Sequence, residues 1–252
     1  MSRWSADSLH IALTPGEVAL QCGEQTRVLT SAERTLVSLL PLLDEALADA
    51  SWHRPRVDVI LSQHFVRQHL TLPPGKALSR VEETALVAAS LHDIYGAEAR
   101  SWRIAVHSQP PHAGLVGAAI EAESLKTLEA LLTRHGARTL TITPLASRAV
   151  QALPARFNGW WVGVEPGWVT LMGAIGGVWQ HLAAQPIGSD WHATLPEWIA
   201  REAECAAMPI ERHVYLQPIG VGAVSSVATT GWRWDTLPHT AQARGAAALT
   251  HL

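Results

Sequence analysis

Apolar and polar residues alternate near the start of the chain in a pattern that is typical of short β-strands. Three apolar-rich runs occupy 8–13, 17–22 and 26–30, and they are separated by Pro15-Gly16 and Gly23-Glu24. Pairs of this kind favour tight turns, and short apolar runs between turns favour strands. The pattern predicts that the chain opens with a meander of three strands.

A helical period replaces this alternation in the next segment. Leu36, Leu40, Leu43 and Leu47 recur at helical spacing, and Pro41 lies inside their pattern. Because proline cannot donate the helical hydrogen bond, we expect the helix either to bend at Pro41 or to begin afresh with this proline in its first turn.

Strand-like alternation and helical spacing of apolar residues also predict the elements in the middle of the chain. Ser79 and Glu82 form the capping box of a helix over 79–95, which Gly96 ends. The other expected elements are strands at 57–61, 65–72 and 139–144, two strands in SWRIAVHS and LVGAAIE, a helix at 124–136 and a short helix in LASRAVQALP.

The order of elements starts again after Asn158-Gly159. The runs WWVGVE, WVTLMGAI and VWQHLAAQPIG predict three strands, DWHATLPEWIAREAECA predicts a helix, and RHVYLQPIG predicts a further strand. Strands followed by helices, used twice, indicate two related α/β lobes. We expect the first lobe to span 1–158 and the second, shorter lobe to span 159–252.

One apolar stretch, 159–179, is long enough to span a membrane as a helix. Glu165 is followed there by Pro166, and glycine is frequent, so we predict strands instead. The first residues contain no apolar region of the signal-peptide type. We therefore expect no direct insertion into a membrane.

The composition argues against several functional classes. The formal net charge is −3 and the 19 basic residues are scattered, so a surface for nucleic acid is not expected. The 13 histidines show no HxxxH or HExxH spacing, and Cys22 and Cys205 lie far apart, so no metal site is expected. Two isolated thiols are typical of a cytosolic chain.

A polar corner interrupts the strands at 58–74, which read DVILSQHFVRQHLTLPP. In one interpretation Ser62 and Gln63 bond the local backbone, and Phe65 is buried at a turn. In another, the turn presents Phe65 and Arg67 to a partner, because aromatic and arginine side chains are common interface anchors. A catalytic role is disfavoured because no carboxylate is expected near the corner.

The segments LSQHFVR and ITPLASRAVQAL, with the start of the second lobe, resemble the PilM-like and GspL-like cytoplasmic proteins of type IV pilus and type II secretion systems. These proteins are a degenerate branch of the actin-like ATPase superfamily, and the resemblance covers most of 8–223. It implies an α/β, two-lobed actin-like (ribonuclease H-like) fold with mixed sheets. GspL-like proteins continue into a membrane span and a periplasmic domain. We expect no such continuation here, so the resemblance is greater to PilM, which is wholly cytoplasmic and binds the short tail of a membrane partner.

The resemblance also locates the positions where the superfamily binds nucleotide. There, a strand turn of each lobe carries Asp-x-Gly, which holds metal and phosphates. In the first turn, within IALTPGEVAL, Ala12 replaces the aspartate and Pro15 removes a backbone donor. In the second turn, within EPGWVTL, Glu165 is an acid of a different length and the large Trp168 follows. Since alanine cannot hold a metal, we expect the ATPase activity to be lost or weak.

If nucleotide binds, the candidate contacts are Glu165 and Gly167 of the second turn, with Gly220 and Gly222 of VYLQPIGVGA, which resembles the adenosine segment. A lone Gly-x-Gly is also typical of a plain turn. We expect no catalytic residue, no metal site and no cofactor. ATP is the alternative cofactor.

These features predict a scaffold or assembly-platform protein of a type IV pilus or type II secretion-like machine, cytoplasmic and peripheral to the inner membrane. It is expected to bind the cytoplasmic tail of an inner-membrane pilus or secretion subunit, with Phe65 and Arg67 as anchors, and not to be an enzyme. Two alternatives stay open. One is a divergent actin-like ATPase or sugar kinase that uses Glu165. The other is a module that binds nucleotide through Gly220 and Gly222 without hydrolysing it.

Overall fold

The computed structural model describes residues 8–206, 208–221, 231–237 and 245–250. Its strands are β1 (Ser8–Thr14), β2 (Glu17–Cys22), β3 (Gln25–Thr30), β4 (Arg56–Leu61), β5 (Arg67–Leu70), β6 (Trp102–His107), β7 (Val116–Glu121), β8 (Thr139–Pro144), β9 (Gly159–Glu165), β10 (Trp168–Ile175), β11 (Val178–Pro186), β12 (His213–Pro218) and β13 (Arg233–Thr236). Its α-helices are α1 (Leu36–Leu47), α2 (Arg80–Tyr95), α3 (Ala122–Arg134), α4 (Leu145–Ala149), α5 (Trp191–Cys205) and α6 (Ala246–Leu249).

The first sheet has five strands in the order β3-β2-β1-β4-β8. Strands β1, β2 and β3 pair antiparallel, as the predicted meander requires, while β4 pairs in parallel with both β1 and β8. Because β1, β4 and β8 run in the same direction, their carboxyl ends meet at one edge of the sheet. The polar corner that follows β4 therefore lies beside the turn that follows β1.

The second sheet repeats this topology. Its order is β11-β10-β9-β12-β13, with β9, β10 and β11 antiparallel and β12 parallel to both β9 and β13. The predicted α/β fold with mixed sheets is confirmed.

The first hairpin of each sheet closes through the same kind of turn. Pro15-Gly16 joins β1 to β2, Pro166-Gly167 joins β9 to β10, and the φ angles of the two glycines are 85° and 81°. Proline followed by a glycine with positive φ is typical of a type II turn. Thr14 and Glu165, which precede the two turns, therefore occupy equivalent positions in the two sheets.

A small sheet is inserted between β4 and β8. Its strands are antiparallel in the order β5-β7-β6, and α2 packs on it through Val87 and Leu91. The sequence predicts a strand at 65–72, but β5 is shorter because a turn precedes it, in which the Phe65 amide donates to the Ser62 carbonyl at 3.0 Å.

Helix α1 contains Pro41 and extends on both sides of it, so the expected fresh start at this proline is wrong. The missing amide of Pro41 deprives only the carbonyl of Val37 of its helical partner. Val37 is exposed, so water can bond that carbonyl. At α2, the predicted capping box of Ser79 and Glu82 is present and Gly96 is the C-cap residue.

Apolar residues form separate layers around the two large sheets. Helices α1 and α3 cover one face of the first sheet, and α5 covers one face of the second. A further apolar cluster lies between the two sheets and includes α4 and α6. This inter-sheet cluster consists of Ala12, Ala19, Ile60, Leu145, Ala146, Ala149, Phe157, Trp161, Met172, Ala174, Ile219, Ala246, Ala248 and Leu249.

Helix α6 follows the last strand of the second sheet but packs against β1 and β2 of the first. The Ala246 amide donates to Glu17 Oε2 at 2.8 Å at the start of this helix. The second sheet begins with β9 at Gly159. Helix α6 lies in the predicted second lobe, but its contacts are with the first sheet. The division of the chain into 1–158 and 159–252 therefore stays a prediction.

Within the described parts of the chain, no helix has the length and apolar character needed to cross a membrane. The apolar stretch 159–179 forms β9, β10 and the start of β11, so the prediction of strands there is confirmed.

Candidate functional site at the junction of the two sheets

The polar corner is a tight turn fixed to the end of the first sheet. The Ser62 amide donates to the Leu13 carbonyl at 2.9 Å, which anchors the corner to β1. Ser62 also closes the turn, because its carbonyl accepts from the Phe65 amide and its Oγ accepts from the His64 amide at 3.2 Å. This part of the corner agrees with the interpretation of a turn that bonds its own backbone.

Glu165, the last residue of β9, reaches across from the second sheet to this corner. Its Oε2 accepts a hydrogen bond from Ser62 Oγ, and its Oε1 accepts one from the Gln63 amide at 2.9 Å. Glu165 is only 2% exposed and Ser62 is fully buried. The expectation that no carboxylate lies near the corner is wrong, because the pairing of sheets brings together residues that the sequence separates by 103 positions.

Burial is the main influence on the pKa of the Glu165 carboxyl group. Loss of solvent raises the pKa of Glu165 from its ordinary value of 4.5 to about 7, although the hydrogen bonds from Ser62 and Gln63 oppose the rise. Burial disfavours the charged form, and two neutral donors compensate only in part for the lost water. Glu165 therefore titrates close to neutral pH.

His64 makes a second connection to the same turn of the second sheet. Its Nε2–H donates to the Pro166 carbonyl at 3.0 Å, and its ring lies 5.4 Å from the ring of Trp168, centroid to centroid. A carbonyl oxygen can only accept, so this bond requires the proton on Nε2. Burial lowers the pKa of His64, which favours the neutral ring at pH 7.

The side chain of Gln63 extends the junction to the small sheet and α4. Its Nε2 donates to Gln68 Oε1 at 2.6 Å, and its Oε1 accepts from the Ala146 amide at 3.5 Å. Gln68 in turn donates to Ser147 Oγ at 3.5 Å. One corner thus contacts both large sheets, the small sheet and the helix that follows β8.

Ala12, which the sequence predicts to replace the superfamily's aspartate, is 0% exposed in the inter-sheet cluster. It shares that cluster with Trp161 and Met172 of the second sheet. Its methyl group meets apolar side chains, and it offers no ligand for a metal. No group of three His, Cys, Asp or Glu residues could hold a metal ion within 8–206, 208–221, 231–237 and 245–250.

The predicted nucleotide contacts are only partly brought together. Glu165 and Gly167 share the second Pro-Gly turn, and Gly220 lies at the same edge because the neighbouring Ile219 amide donates to the Val164 carbonyl at 2.7 Å. Gly220 has a φ of 69°, and a side chain there would approach the Gly245 backbone to within 2.9 Å. Gly222 lies outside the described residues.

The predicted partner anchors, Phe65 and Arg67, lie on the outer side of the corner. Phe65 is half-buried and packs in part against the core of the first sheet. Arg67 donates through Nη1 to the His64 carbonyl at 3.2 Å.

Phe65 also lines a pocket of ≈ 520 Å³, which we name the corner pocket. Its lining residues are Pro15, Arg34, Thr35, Leu36, His64, Phe65 and Gly167. The corner pocket therefore lies where the two Pro-Gly turns, the corner and the start of α1 meet.

A second pocket, of ≈ 600 Å³, lies between the small sheet, α4 and the second sheet. Gln109 crosses beside it: its Oε1 accepts from the Trp179 amide at 2.7 Å and its Nε2 donates to the Trp179 carbonyl at 3.1 Å. This side-chain amide satisfies both backbone groups of Trp179 and ties the small sheet to β11.

Ser62 and Glu165 contain the groups of a nucleophile and a base, but their burial keeps a substrate away from them. The Ser62 hydroxyl already donates to Glu165 and accepts from the His64 amide. The pair can hold the two sheets together, whereas the corner pocket is the part of the site that is open to a ligand.

Comparison with known proteins defines the class of fold. No protein-family model matches the chain, and no curated protein matches its sequence. Among solved structures, the cytoplasmic domain of EpsL, an inner membrane component of the type II secretion system of Vibrio cholerae, is similar to this chain. It has a TM-score of 0.56 and 16% identity, over 97% of this chain and 92% of that chain.

Two further structures support the same class. A Bacteroides thetaiotaomicron protein with an actin-like ATPase fold and unknown function has a TM-score of 0.54 at 11% identity, over 89% of this chain and 86% of that one. A chain of the PilM-PilN type IV pilus biogenesis complex has a TM-score of 0.53 at 11% identity, over 77% and 66%. The chain has the actin-like ATPase fold, as the resemblance implied, and proteins of pilus and secretion systems are among its structural neighbours.

Proposed function

We propose that the chain is a scaffold of a type II secretion or type IV pilus-like machine, which binds the cytoplasmic segment of an inner-membrane partner without turning over ATP. Two of its structural neighbours belong to such machines: EpsL is an inner membrane component of a secretion system, and PilM was solved in a complex with PilN. In this proposal the chain is cytoplasmic and stays at the inner membrane through its partner.

The observation that carries the proposal is that the polar corner donates hydrogen bonds to Glu165. This residue is the acid that the second turn retains, and both of its oxygens accept hydrogen bonds from Ser62 and Gln63. A carboxylate that holds a metal must present its oxygens to the ion. Glu165 presents them to the first sheet, which favours a structural role over a catalytic one.

The other residues of the turns support the same conclusion. Ala12 supplies no carboxylate, and Pro15 and Pro166 have no amide with which to hold a phosphate oxygen. Phosphoryl transfer depends on charge neutralisation by metal and donors around the phosphates. The residues at this junction do not fit a magnesium–nucleotide complex.

The docking part of the proposal assigns the partner to the corner pocket. Phe65 lines that pocket beside His64, and Arg67 is held next to it. A pocket of ≈ 520 Å³ lies within the range of ligand pockets in proteins. An aromatic ring at such a pocket is a common anchor for a partner.

Two titrations of the purified chain test the proposal. In the first, magnesium–ATP at millimolar concentration should leave the melting temperature unchanged, because a ligand stabilises a fold only to the extent that it binds it. In the second, calorimetry with the cytoplasmic segment of an inner-membrane subunit of the same machine should show saturable binding. ATP hydrolysis above background, or no binding of the segment, would contradict the proposal.

A nucleotide-binding module remains the second candidate, because the corner pocket lies between the two turns that hold phosphates in the superfamily and is lined by Arg34 and Gly167. The same ATP titration decides this candidate. Stabilisation by magnesium–ATP that is lost in Arg34→Gln and kept in Arg103→Gln, an exposed arginine of the small sheet, would favour it.

A further inference from the structure

The corner pocket has an apolar wall and one lining arginine, Arg34, and a second arginine, Arg67, lies beside it. Phe65 is half-buried and Leu36 is buried, and both pack against the core of the first sheet, so their pocket faces are held rigidly. Arg34 lines the pocket from the exposed end of the loop before α1. Arg67 lies at the other side of His64, whose carbonyl accepts its Nη1 hydrogen.

Neither arginine has a carboxylate partner within the described part of the chain, where the ion pairs involve other residues. Glu165, the buried acid of the junction, is turned away into its bonds with Ser62 and Gln63. The exposed Glu33 precedes Arg34 in the chain but does not line the pocket. Burial lowers the pKa of His64, so at pH 7 the ring adds no charge of its own. The one ionised side chain that lines the pocket, Arg34, is therefore positive, and the guanidinium group of Arg67 lies beside it.

Helix α1 adds to this positive field because it begins at the pocket. Thr35 is its N-cap residue, and Thr35 Oγ1 accepts from the Ser38 amide at 3.2 Å. The first amides of a helix carry a partial positive charge that favours an anion nearby. The positive charge favours carboxylates, and the apolar wall favours an apolar side chain. Together they select for a ligand that has carboxylates beside an apolar side chain.

We propose that the corner pocket binds an acidic, extended peptide segment of the partner, with carboxylates at Arg34 and Arg67 and an apolar side chain against Phe65 and Leu36. This inference deepens the proposed scaffold function and rests on it, since it names the chemistry of the segment that the scaffold binds. Arg34 becomes an anchor that the sequence did not single out.

The apolar wall distinguishes a peptide from a phosphate ligand. Leu36, Phe65 and Pro15 give a phosphate group no hydrogen bond, whereas they provide contact area for an aromatic or aliphatic side chain. Arginine pairs with carboxylates through parallel N–H bonds, and such contacts at an accessible rim contribute to specificity more than to affinity. The expected effect of each arginine is therefore modest but selective.

The first test uses defined peptides and needs no knowledge of the partner. The probe is the amidated heptapeptide GEDFEDG with a fluorescent label, and its neutral counterpart is GQNFQNG. Fluorescence anisotropy should show binding of the acidic probe that weakens with added salt, and much weaker binding of the neutral one. Arg34→Gln and Arg67→Gln should each weaken binding of the acidic probe about threefold, and the double variant about tenfold. Arg103→Gln, the exposed arginine of the small sheet, should bind it like the unchanged chain.

A second test separates this inference from the scaffold proposal. The cytoplasmic segment of the inner-membrane subunit is titrated as it is, and again with its Asp and Glu changed to Asn and Gln. Equal binding of both forms by the unchanged chain would overturn the acidic-ligand inference and leave the scaffold proposal standing. Binding of inorganic triphosphate that Arg34→Gln abolishes, together with no binding of the acidic heptapeptide, would also overturn it. No binding of the unmodified segment would instead count against the scaffold proposal.

Discussion

Ser62 donates a hydrogen bond to Glu165 across the junction of the two large sheets, and within the described residues no charged group donates to that carboxyl group. The second bond comes from the backbone amide of Gln63 at 2.9 Å. For a buried carboxyl group with only two neutral donors, burial favours the protonated form over the charged form. The junction should therefore respond to pH close to neutrality.

Glu165→Gln should remove this response. The folded-state pKa of Glu165 is about 7 against an ordinary value of 4.5, so the folded chain binds more protons than the unfolded chain between these two values. The free energy of unfolding then falls as pH rises through this window, by on the order of 3 kcal/mol at about 1.4 kcal/mol for each pH unit. In urea unfolding, the free energy of unfolding of the variant should not fall over this pH window. The variant should therefore be more stable than the unchanged chain at pH 8.

The matched control for that experiment is Glu129→Gln, which removes an exposed glutamate of α3. It should follow the pH dependence of the unchanged chain. Burial lowers the pKa values of His10, His64 and His69, which makes stability rise with pH instead. Because all three chains contain these histidines, the difference between Glu165→Gln and the unchanged chain isolates Glu165. Parallel pH curves for these two chains would rule out a pKa near 7.

Ser62→Ala should destabilise the chain more at pH 8 than at pH 5. The variant removes one of the two donors from Glu165, and the loss matters most when the carboxyl group is charged. We expect a decrease of about 2 kcal/mol in the free energy of unfolding at pH 8 and about 1 kcal/mol at pH 5. Ser101→Ala, at an exposed serine, should change it by less than about 0.5 kcal/mol at either pH. Equal losses at both pH values would mean that Ser62 acts only by closing the turn.

Ala12→Asp should fail to create an ATPase and should unfold the chain or nearly so. Ala12 is 0% exposed among apolar side chains of both sheets, and an unpaired buried carboxylate costs several kcal/mol or more. Ala12→Ser, which adds a single hydroxyl, should cost about 1–3 kcal/mol and stay folded. The measurements are thermal unfolding and release of phosphate from magnesium–ATP. A folded Ala12→Asp chain with magnesium-dependent turnover would show that the inter-sheet cluster opens to nucleotide.

Substitution of the two predicted anchors should weaken binding of the partner's cytoplasmic segment. For Phe65→Ala with Arg67→Ala we expect a loss of at least about 2 kcal/mol in calorimetry. Phe65 also packs on the core of the first sheet, so this double variant should melt earlier as well. Phe65→Leu keeps an apolar side chain there and separates the two effects. Its melting temperature should stay close to the original while binding still weakens, and unchanged affinity would return the corner to a purely structural role.

Local patterns of the sequence were sufficient for most of the fold. The Pro15-Gly16 turn, the capping box of Ser79 and Glu82, and the restart at Gly159 each depend on residues close together in the chain, and each is present in the structure. The small sheet was not recognised as a separate sheet because its strands are interrupted by α2, and strand pairing across a helix leaves no local pattern.

The candidate site was harder to predict because its contacts join distant segments. Phe65, Arg67, Glu165 and Gly167 were named from the sequence, but the bond from Ser62 to Glu165 spans 103 residues and has no periodic signal. One signal was present. The segments ALTPGEVAL and GVEPGWVTL share a Pro-Gly turn between apolar runs, which indicates equivalent turns that face one another across a duplicated fold.

The wide separation of Ser62 and Glu165 along the chain has a consequence for the order of folding. All strands of the first sheet precede residue 145 and all strands of the second follow 158, so each sheet can form from its own segment as the chain is synthesised. The corner contact and the packing of α6 on β1 require both sheets and should close last. Interactions that form after the folding barrier slow unfolding and leave the folding rate nearly unchanged. The junction should therefore set how long the native state persists and have little influence on how fast it is reached.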